Sequence, residues 1–344
     1  MVNGFRGRNG QIAAPPYTNG PYTFSEQMTF SGGVAGANTK GNVWYVDGDL
    51  SASGDGTSWD TAYITIQEAV TAASAHDVIY ISAITLTDYT GDPGSYDENI
   101  IIPYATSSLA LIGISRGLTQ GGLPQIKIGG SSTTEMLKIR APGCLIMNLG
   151  FNGASSTGGG ILLDDDNTAK SAFGTTIINC HFKNCKKHAT NAASGGAIMW
   201  GSAGNAWQVR ISDCHFYKNL CDICVIGTSN TVPQDVVIEN CHFSDSPAST
   251  TCNIYTGGSG FGGGLVINNN TFGALPNLSS GDTNLYTSID TYGTESSGIF
   301  SNNVFGADGT TAGWGDGKAA ADIEDGIWIV NCHSQAGLIV REAT

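Results

Sequence analysis

One repeated pattern constrains this chain more than any other feature. The run Ile178-Asn179-Cys180-His181-Phe182 returns as Ile211-Ser212-Asp213-Cys214-His215-Phe216 and as Ile238-Glu239-Asn240-Cys241-His242-Phe243. Weaker copies are Ile267-Asn268-Asn269-Asn270-Thr271-Phe272, Phe300-Ser301-Asn302-Asn303-Val304-Phe305 and Ile329-Val330-Asn331-Cys332-His333, with an earlier relative in Ile146-Met147-Asn148-Leu149-Gly150-Phe151. With the Phe position as marker, the copies fall at 151, 182, 216, 243, 272, 305 and 334, so the gaps are 31, 34, 27, 29, 33 and 29 residues. Four of the six histidines directly follow a cysteine, a pairing of rare residues that chance does not produce.

A period near 30 with a short β-branched segment in each copy has few structural solutions. Leucine-rich repeats need Leu in a fixed consensus, helical repeats need helix formers, and propeller blades need about 40 residues or more. A right-handed, single-stranded parallel β-helix remains. It is an all-β fold of about eight to ten coils, stacked about 4.8 Å apart. Unequal gaps then become loops of unequal length on the side of the solenoid. Asn179, Asp213, Asn240, Asn269, Asn302 and Asn331 fall where the strand must bend, and Asn and Asp tolerate the left-handed backbone of such a bend. Stacked Asn side chains can bond from coil to coil. Cys and Phe, two apart, then point inward and the His between them outward. In that reading Cys180, Cys214 and Cys241 stack inside as small hydrophobes, and Asn270 and Asn303 break their column before Cys332 resumes it.

Composition agrees with this reading. Gly is 48 of 344 residues and charged residues are only 13 %, too few for helical bundles or coiled coils. A net charge of −14 repels phosphate backbones and anionic membranes, so neither nucleic acid nor membrane is an expected partner. The first 24 residues lack an apolar run of signal-peptide length, and no stretch approaches 18 apolar residues. The expectation is synthesis in the cytosol with reduced thiols.

Residues 1–40 read as an extended arm rich in Gly and Pro. Phe5, Tyr17, Tyr22, Phe24 and Phe30 are aromatic anchors for docking on a partner or a neighbouring subunit. Residues 41–344 read as the solenoid, with 41–82 as its capping opening. In that opening Val43-Trp44-Tyr45-Val46 predicts a strand, apolar residues at 66, 69, 70 and 73 predict a short helix, and Val78-Ile79-Tyr80-Ile81 predicts the next strand.

The block Trp44-Tyr45-Val46-Asp47, Gly54-Asp55-Gly56-Thr57-Ser58-Trp59, Ile66-Gln67-Glu68-Ala69-Val70 and Asp77-Val78-Ile79-Tyr80-Ile81 resembles the opening of pectate-lyase-like right-handed β-helices, where a short helix caps the open end. The usual Gly-Asp before the strand is His76-Asp77 here. The resemblance covers about residues 41–344. It implies the fold and leaves the activity open, because one fold hosts many functions.

Several clusters invite a chemical reading. Asp164, Asp165 and Asp166 form the densest acidic run, either a calcium or catalytic site or, as favoured, an exposed acidic turn. Asp213 and Asp245 are generic carboxylates for glycoside hydrolysis. His181, His215 and His242 fall about 5 Å apart on stacked coils, which suits a shared metal, an acid-sensitive patch or, as favoured, a plain stacking ladder. Cys221 and Cys224 have knuckle spacing without a second pair, so core thiols are favoured over zinc. Trp200, Trp207, Tyr217 and Tyr255 are candidate sugar-stacking rings.

Two functions follow. The first is a non-catalytic structural protein on a bacteriophage virion surface. It would be a homotrimeric capsid decoration or spike, held through its arm by the major capsid or tail protein, and without cofactor or metal. The alternative is a polysaccharide lyase or glycoside hydrolase acting on host surface glycans, as on a tail spike.

Overall fold

The protein is described from a computed structural model that covers residues 40–85, 94–114, 122–128, 134–153, 158–163, 165–167, 170–185, 196–201, 206–225, 233–244, 253–255, 263–273, 289–290, 297–306, 326–334 and 337–339. The chain divides into two units, Met1–Asn38 and Thr39–Thr344. The first unit, with Phe5, Tyr17, Tyr22, Phe24 and Phe30, lies outside the described residues.

The second unit is a right-handed parallel β-helix. Three sheets run along it, with ten, ten and seven strands, so seven consecutive coils place a strand in each. A typical coil reads Thr176–Ile178 in the first sheet, His181–Lys183 in the second and Ile198–Trp200 in the third, before the chain climbs to Arg210–Ser212. Strands pair in parallel with the next coil, so Thr176 faces Arg210 and Phe182 faces Phe216. The final strand, Gly337–Ile339, instead folds back antiparallel on Cys332–Ser334. No helix among the described residues is long and apolar enough to cross a membrane.

Parallel register explains the core. Like residues stack over like, so each repeat position becomes a column. Ile146, Ile177, Ile211, Ile238 and Ile267 fill the lumen from the first sheet. From the second sheet, Phe151, Phe182, Phe216, Phe243 and Phe272 form a ladder with ring centroids 4.6–5.1 Å apart and planes within 9° of parallel. The strand spacing of about 4.8 Å matches the thickness that stacked rings occupy.

Two columns of left-handed residues flank the first sheet. One is the Asn column, Asn148 to Asn331, with φ between 49 and 57°. Its amides bond from coil to coil, from Asn179 to Asn148 at 2.7 Å, Asn269 to Asn240 at 2.7 Å and Asn331 to Asn302 at 2.8 Å. Asn302 departs from this pattern and donates to Asn268 at 3.0 Å. The other column, at the opposite corner, runs His76, Ser108, Gly143, Gly174, Gln208, Asp235 and Gly264. Its residues share a backbone state and little side-chain chemistry, so repeat matching does not find it. It also explains the His76-Asp77 departure. His76 has φ 69°, a conformation that glycine adopts without Cβ strain.

The open end is capped by helix α1, Ile66–Ala72. Thr65 and Glu68 form a reciprocal capping box at its start. Glu98 accepts hydrogen bonds from the Ile66 and Gln67 backbone N–H groups at 2.8 and 2.9 Å, which satisfies donors a helix start leaves free. Burial pushes the Glu98 carboxyl above its usual range, and these two bonds oppose that shift. Ile66, Ala69 and Val70 close the lumen. Beneath them buried Asp77 accepts from Asn42 N at 2.6 Å, Trp44 Nε1 at 2.8 Å and Ser74 N at 2.8 Å, pinning the first strand to the turn before the second.

Inside the bend, Asn270 and Asn303 continue the Cys column instead of breaking it. Cys241 N donates to Asn270 Oδ1 at 2.8 Å and Asn270 N to Asn303 Oδ1 at 3.0 Å. The Asn303 amide donates to Ile267 O at 2.8 Å. Asn and Cys have similar bulk, and a fully bonded amide is tolerated where the backbone offers donors and acceptors on both sides.

Candidate functional site

The acidic run leads directly to an exposed aromatic corner. Asp165–Asn167 forms one strand of a small antiparallel hairpin with Lys170–Ser171, following the third-sheet strand Gly159–Leu163. Asp164 lies outside the described residues, and for Asp165 and Asp166 the structure describes the backbone alone. The calcium reading of this run concerns those side chains and stays an expectation. Chain direction then brings buried Ser171 and Ala172, and after them Phe173 at the corner before the first sheet.

Phe173 is 45 % exposed, and so is Trp207, its counterpart one coil on. Their backbones are linked, since Gly174 N donates to Trp207 O at 2.7 Å and Gly143 N to Phe173 O at 2.8 Å. Left-handed Gly174 and Gln208 turn the chain sharply just after each ring, which leaves the rings on the outer edge. A buried residue holds the approach to Trp207. The Trp200 indole N–H donates to Ala206 O at 3.0 Å, fixing the backbone next to Trp207. Trp200 is therefore corrected from a sugar-stacking candidate to a core residue, because its ring lies fully inside the solenoid. Tyr217 is half-buried with the Lys218 ammonium 5.0 Å from its ring centre. The Tyr255 side chain and Asp245 lie outside the description. Phe173 escaped the sequence reading because it belongs to no repeat column of aromatics.

The histidine column is well defined. His181 and His215 stack at 5.1 Å with planes 19° apart, and His215 and His242 lie at 5.1 Å tilted by 47°. All three point away from the lumen, yet burial falls steeply along the column. His181 is buried, His215 half-buried and His242 exposed. Face-to-face rings aim their nitrogens sideways, so His181 and His215 do not converge on one ion, and no metal-holding cluster occurs among the described residues. His215 Nε2 lies 3.1 Å from Ser244 Oγ instead.

Burial, then the neighbouring His215 and Lys183, lowers the His181 pKa to about 4 from 6.5. The sign is that of a depressed base. Its contribution to stability is complete above about pH 6.5 and is lost as pH falls to about 4, by roughly 3 kcal/mol. His181→Gln is expected to lose correspondingly less stability than the parent chain over that window. Urea unfolding at pH 7 and pH 4 checks this, and equal losses in both chains would contradict it.

Cys221 and Cys224 lie buried with Leu162 and Met199 in a small apolar cluster of their own. The Cys224 thiol is held well above its usual range by its bond with Cys221 and by burial, the environment of a core thiol. All eight described cysteines are buried. Between this pair, Asp222 is buried too. Its oxygens accept from Asn219 Nδ2 at 2.9 Å and Asn253 Nδ2 at 2.7 Å. Burial nevertheless pushes its pKa up to about 8. Asp213, the remaining carboxylate candidate, is an exposed member of the left-handed Asn column, on the bend between the first and second sheets.

No family model matches the chain, and no curated protein matches it. Among solved structures it is similar to the alginate lyase from Paenibacillus sp. strain FPU-7, at 13 % identity over 78 % of this chain and 83 % of that one, with a TM-score of 0.52. Pectate lyase Pel9A aligns at 14 % identity over 87 % of this chain and 77 % of that one, TM-score 0.46. The pectin methylesterase from carrot aligns at 18 % over 86 % and 84 %, TM-score 0.42. At these identities the likeness is one of fold: the chain's structural neighbours are pectate-lyase-like right-handed parallel β-helix proteins.

Proposed function

We propose that this chain engages and cleaves polysaccharide as a lyase or glycoside hydrolase, at the corner where the acidic hairpin meets Phe173 and Trp207. The observation that carries this reading is the pair of half-exposed rings on consecutive coils, the first of them, Phe173, two residues beyond the Asp165–Ser171 hairpin. Exposed aromatic faces bind the apolar faces of sugar rings, and stacked coils offer them at a regular spacing. Carboxylates beside such a platform supply the acid and base groups that glycosidic cleavage needs. Shared architecture with an alginate lyase supports the same class. The arm that the virion reading calls on lies, up to residue 39, outside the described residues, and no observation above favours that reading.

The test uses the full chain and a panel of acidic and neutral polysaccharides, alginate and pectate among them. Trp207→Ala is expected to weaken binding about tenfold, the equivalent of ~1.4 kcal/mol, with an unchanged melting temperature. Asp165→Asn and Asp166→Asn are expected to retain binding and to lose release of reducing or unsaturated ends. Binding by Trp207→Ala equal to that of the parent chain, or no end release from any polymer, would overturn the reading.

A further inference from the structure

The outward side of the first sheet is a continuous ten-stranded surface that is nearly free of charge. Its strands present two outward columns, one from Val43 to Trp328 and the other from Tyr45 to Val330. The first carries Val237, Val266, Ile299 and Trp328 on consecutive coils. The second stacks Tyr80, Ile112, Met147 and Ile178. Trp328 is 75 % exposed at the far end. Arg210 and Glu239 are the sole charged residues in the two columns, and they pair with each other across adjacent strands. The face therefore carries no net charge on a chain of net charge −14.

We propose that this face packs against the same face of a second copy of the chain. Three considerations select that occupant. First, size: ten strands at about 4.8 Å make a strip about 43 Å long and roughly 10–16 Å wide, and its corrugated accessible area is on the order of the 800 Å² per partner of a stable interface. Second, charge: two copies with this net charge repel each other wherever their carboxylates meet, and this strip is where that repulsion is locally absent. Third, shape: the β-branched and aromatic residues of the two columns can interdigitate with those of a second sheet about 10 Å away. The strip borders the Phe173–Trp207 corner, whose rings come three residues before Thr176 and Arg210 in the chain, so the test of self-association uses a residue away from that corner.

Sedimentation equilibrium of the full chain tests the proposal. The expected result is a concentration-dependent mass above the 35.6 kDa of one copy. Val266→Lys, on the eighth of the ten strands, within the apolar run from Val237 to Trp328 and outside the lumen, is expected to shift the association constant at least a hundredfold toward monomer with an unchanged far-ultraviolet dichroism spectrum. Should the lysine variant fail to fold, the near-isosteric Val266→Thr is expected to weaken association at least threefold. A parent chain that stays monomeric at about 100 μM overturns the proposal, as does association unaffected by either variant. Monomer that instead binds neutral phosphatidylcholine vesicles overturns it in favour of a lipid surface.

Discussion

Phe216→Ala is expected to destabilise the solenoid by about 4 kcal/mol, among the largest effects available from one substitution. Phe216 is fully buried, with Phe182 at 5.1 Å on one side and Phe243 at 4.8 Å on the other. Removing it leaves a ring-sized cavity and also ends two stacked pairs, each contributing about 0.5–1.5 kcal/mol beyond area burial. A solenoid coil is stabilised chiefly by its neighbours, so a defect in a middle coil weakens the coupling between the two halves. The expected signature in urea is a lower midpoint together with a broader transition as the halves unfold less cooperatively. Phe216→Leu, which keeps most of the volume, is expected to lose less than half as much. A loss below about 1 kcal/mol for the alanine variant would show that the lumen collapses around the gap, and that the ladder is not the principal support of the fold.

Asp222→Asn is expected to change how stability depends on pH. Asp222 keeps its proton to about pH 8 in the folded chain, whereas its ordinary value is 3.8. Below about pH 4 both states hold the proton, and the folded chain bears no penalty. Between pH 4 and 8 the unfolded chain releases the proton and the folded chain does not, so stability declines with rising pH by about 1.4 kcal/mol per unit. Above pH 8 the loss is complete. An Asn at this position does not titrate. The difference in unfolding free energy between Asp222→Asn and the parent should therefore move by about 4 kcal/mol in the variant's favour from pH 4 to pH 7. The amide changes the hydrogen bonding with Asn219 and Asn253, which offsets both measurements equally and leaves the pH-dependent difference intact. Parallel pH profiles for the two chains would mean that the two amide bonds keep Asp222 ionised despite its burial. His181 acts in the opposite sense over pH 4 to 6.5, so the two contributions largely cancel there, and the net decline from this pair falls between about pH 6.5 and 8.

Much of the fold is legible in the repeat, because a parallel coil turns sequence period directly into a column. Ile, Asn, Cys and Phe at fixed offsets sit respectively in the lumen, at the bend, inside the bend and in the lumen again. The capping helix is also legible, from Ile66, Ala69, Val70 and Ala73 at helical spacing. Three features were not. The second left-handed column is one, since His76, Ser108, Gly143 and Gln208 share φ and little else. The role of Asn270 and Asn303 is another. They look like a break in a Cys column, and their burial is tolerable because neighbouring coils supply partners for their amides. The candidate site is the third. Trp200 and Trp207 are indistinguishable by type, and seven residues apart one is core and the other surface.

By its sequence alone, this chain is committed to a stacked solenoid with a bend at each Asn and an aromatic lumen, because those properties depend on residue order and backbone preference within one coil. Which rings reach a sugar, how deep each histidine of one column lies, and where a charge-free strip forms are different in kind. They arise when coils of unequal length are stacked, since exposure belongs to a side chain and everything that comes to lie beside it. His181 and His242 occupy the same place in the repeat, and their neighbours make one buried and the other open to water.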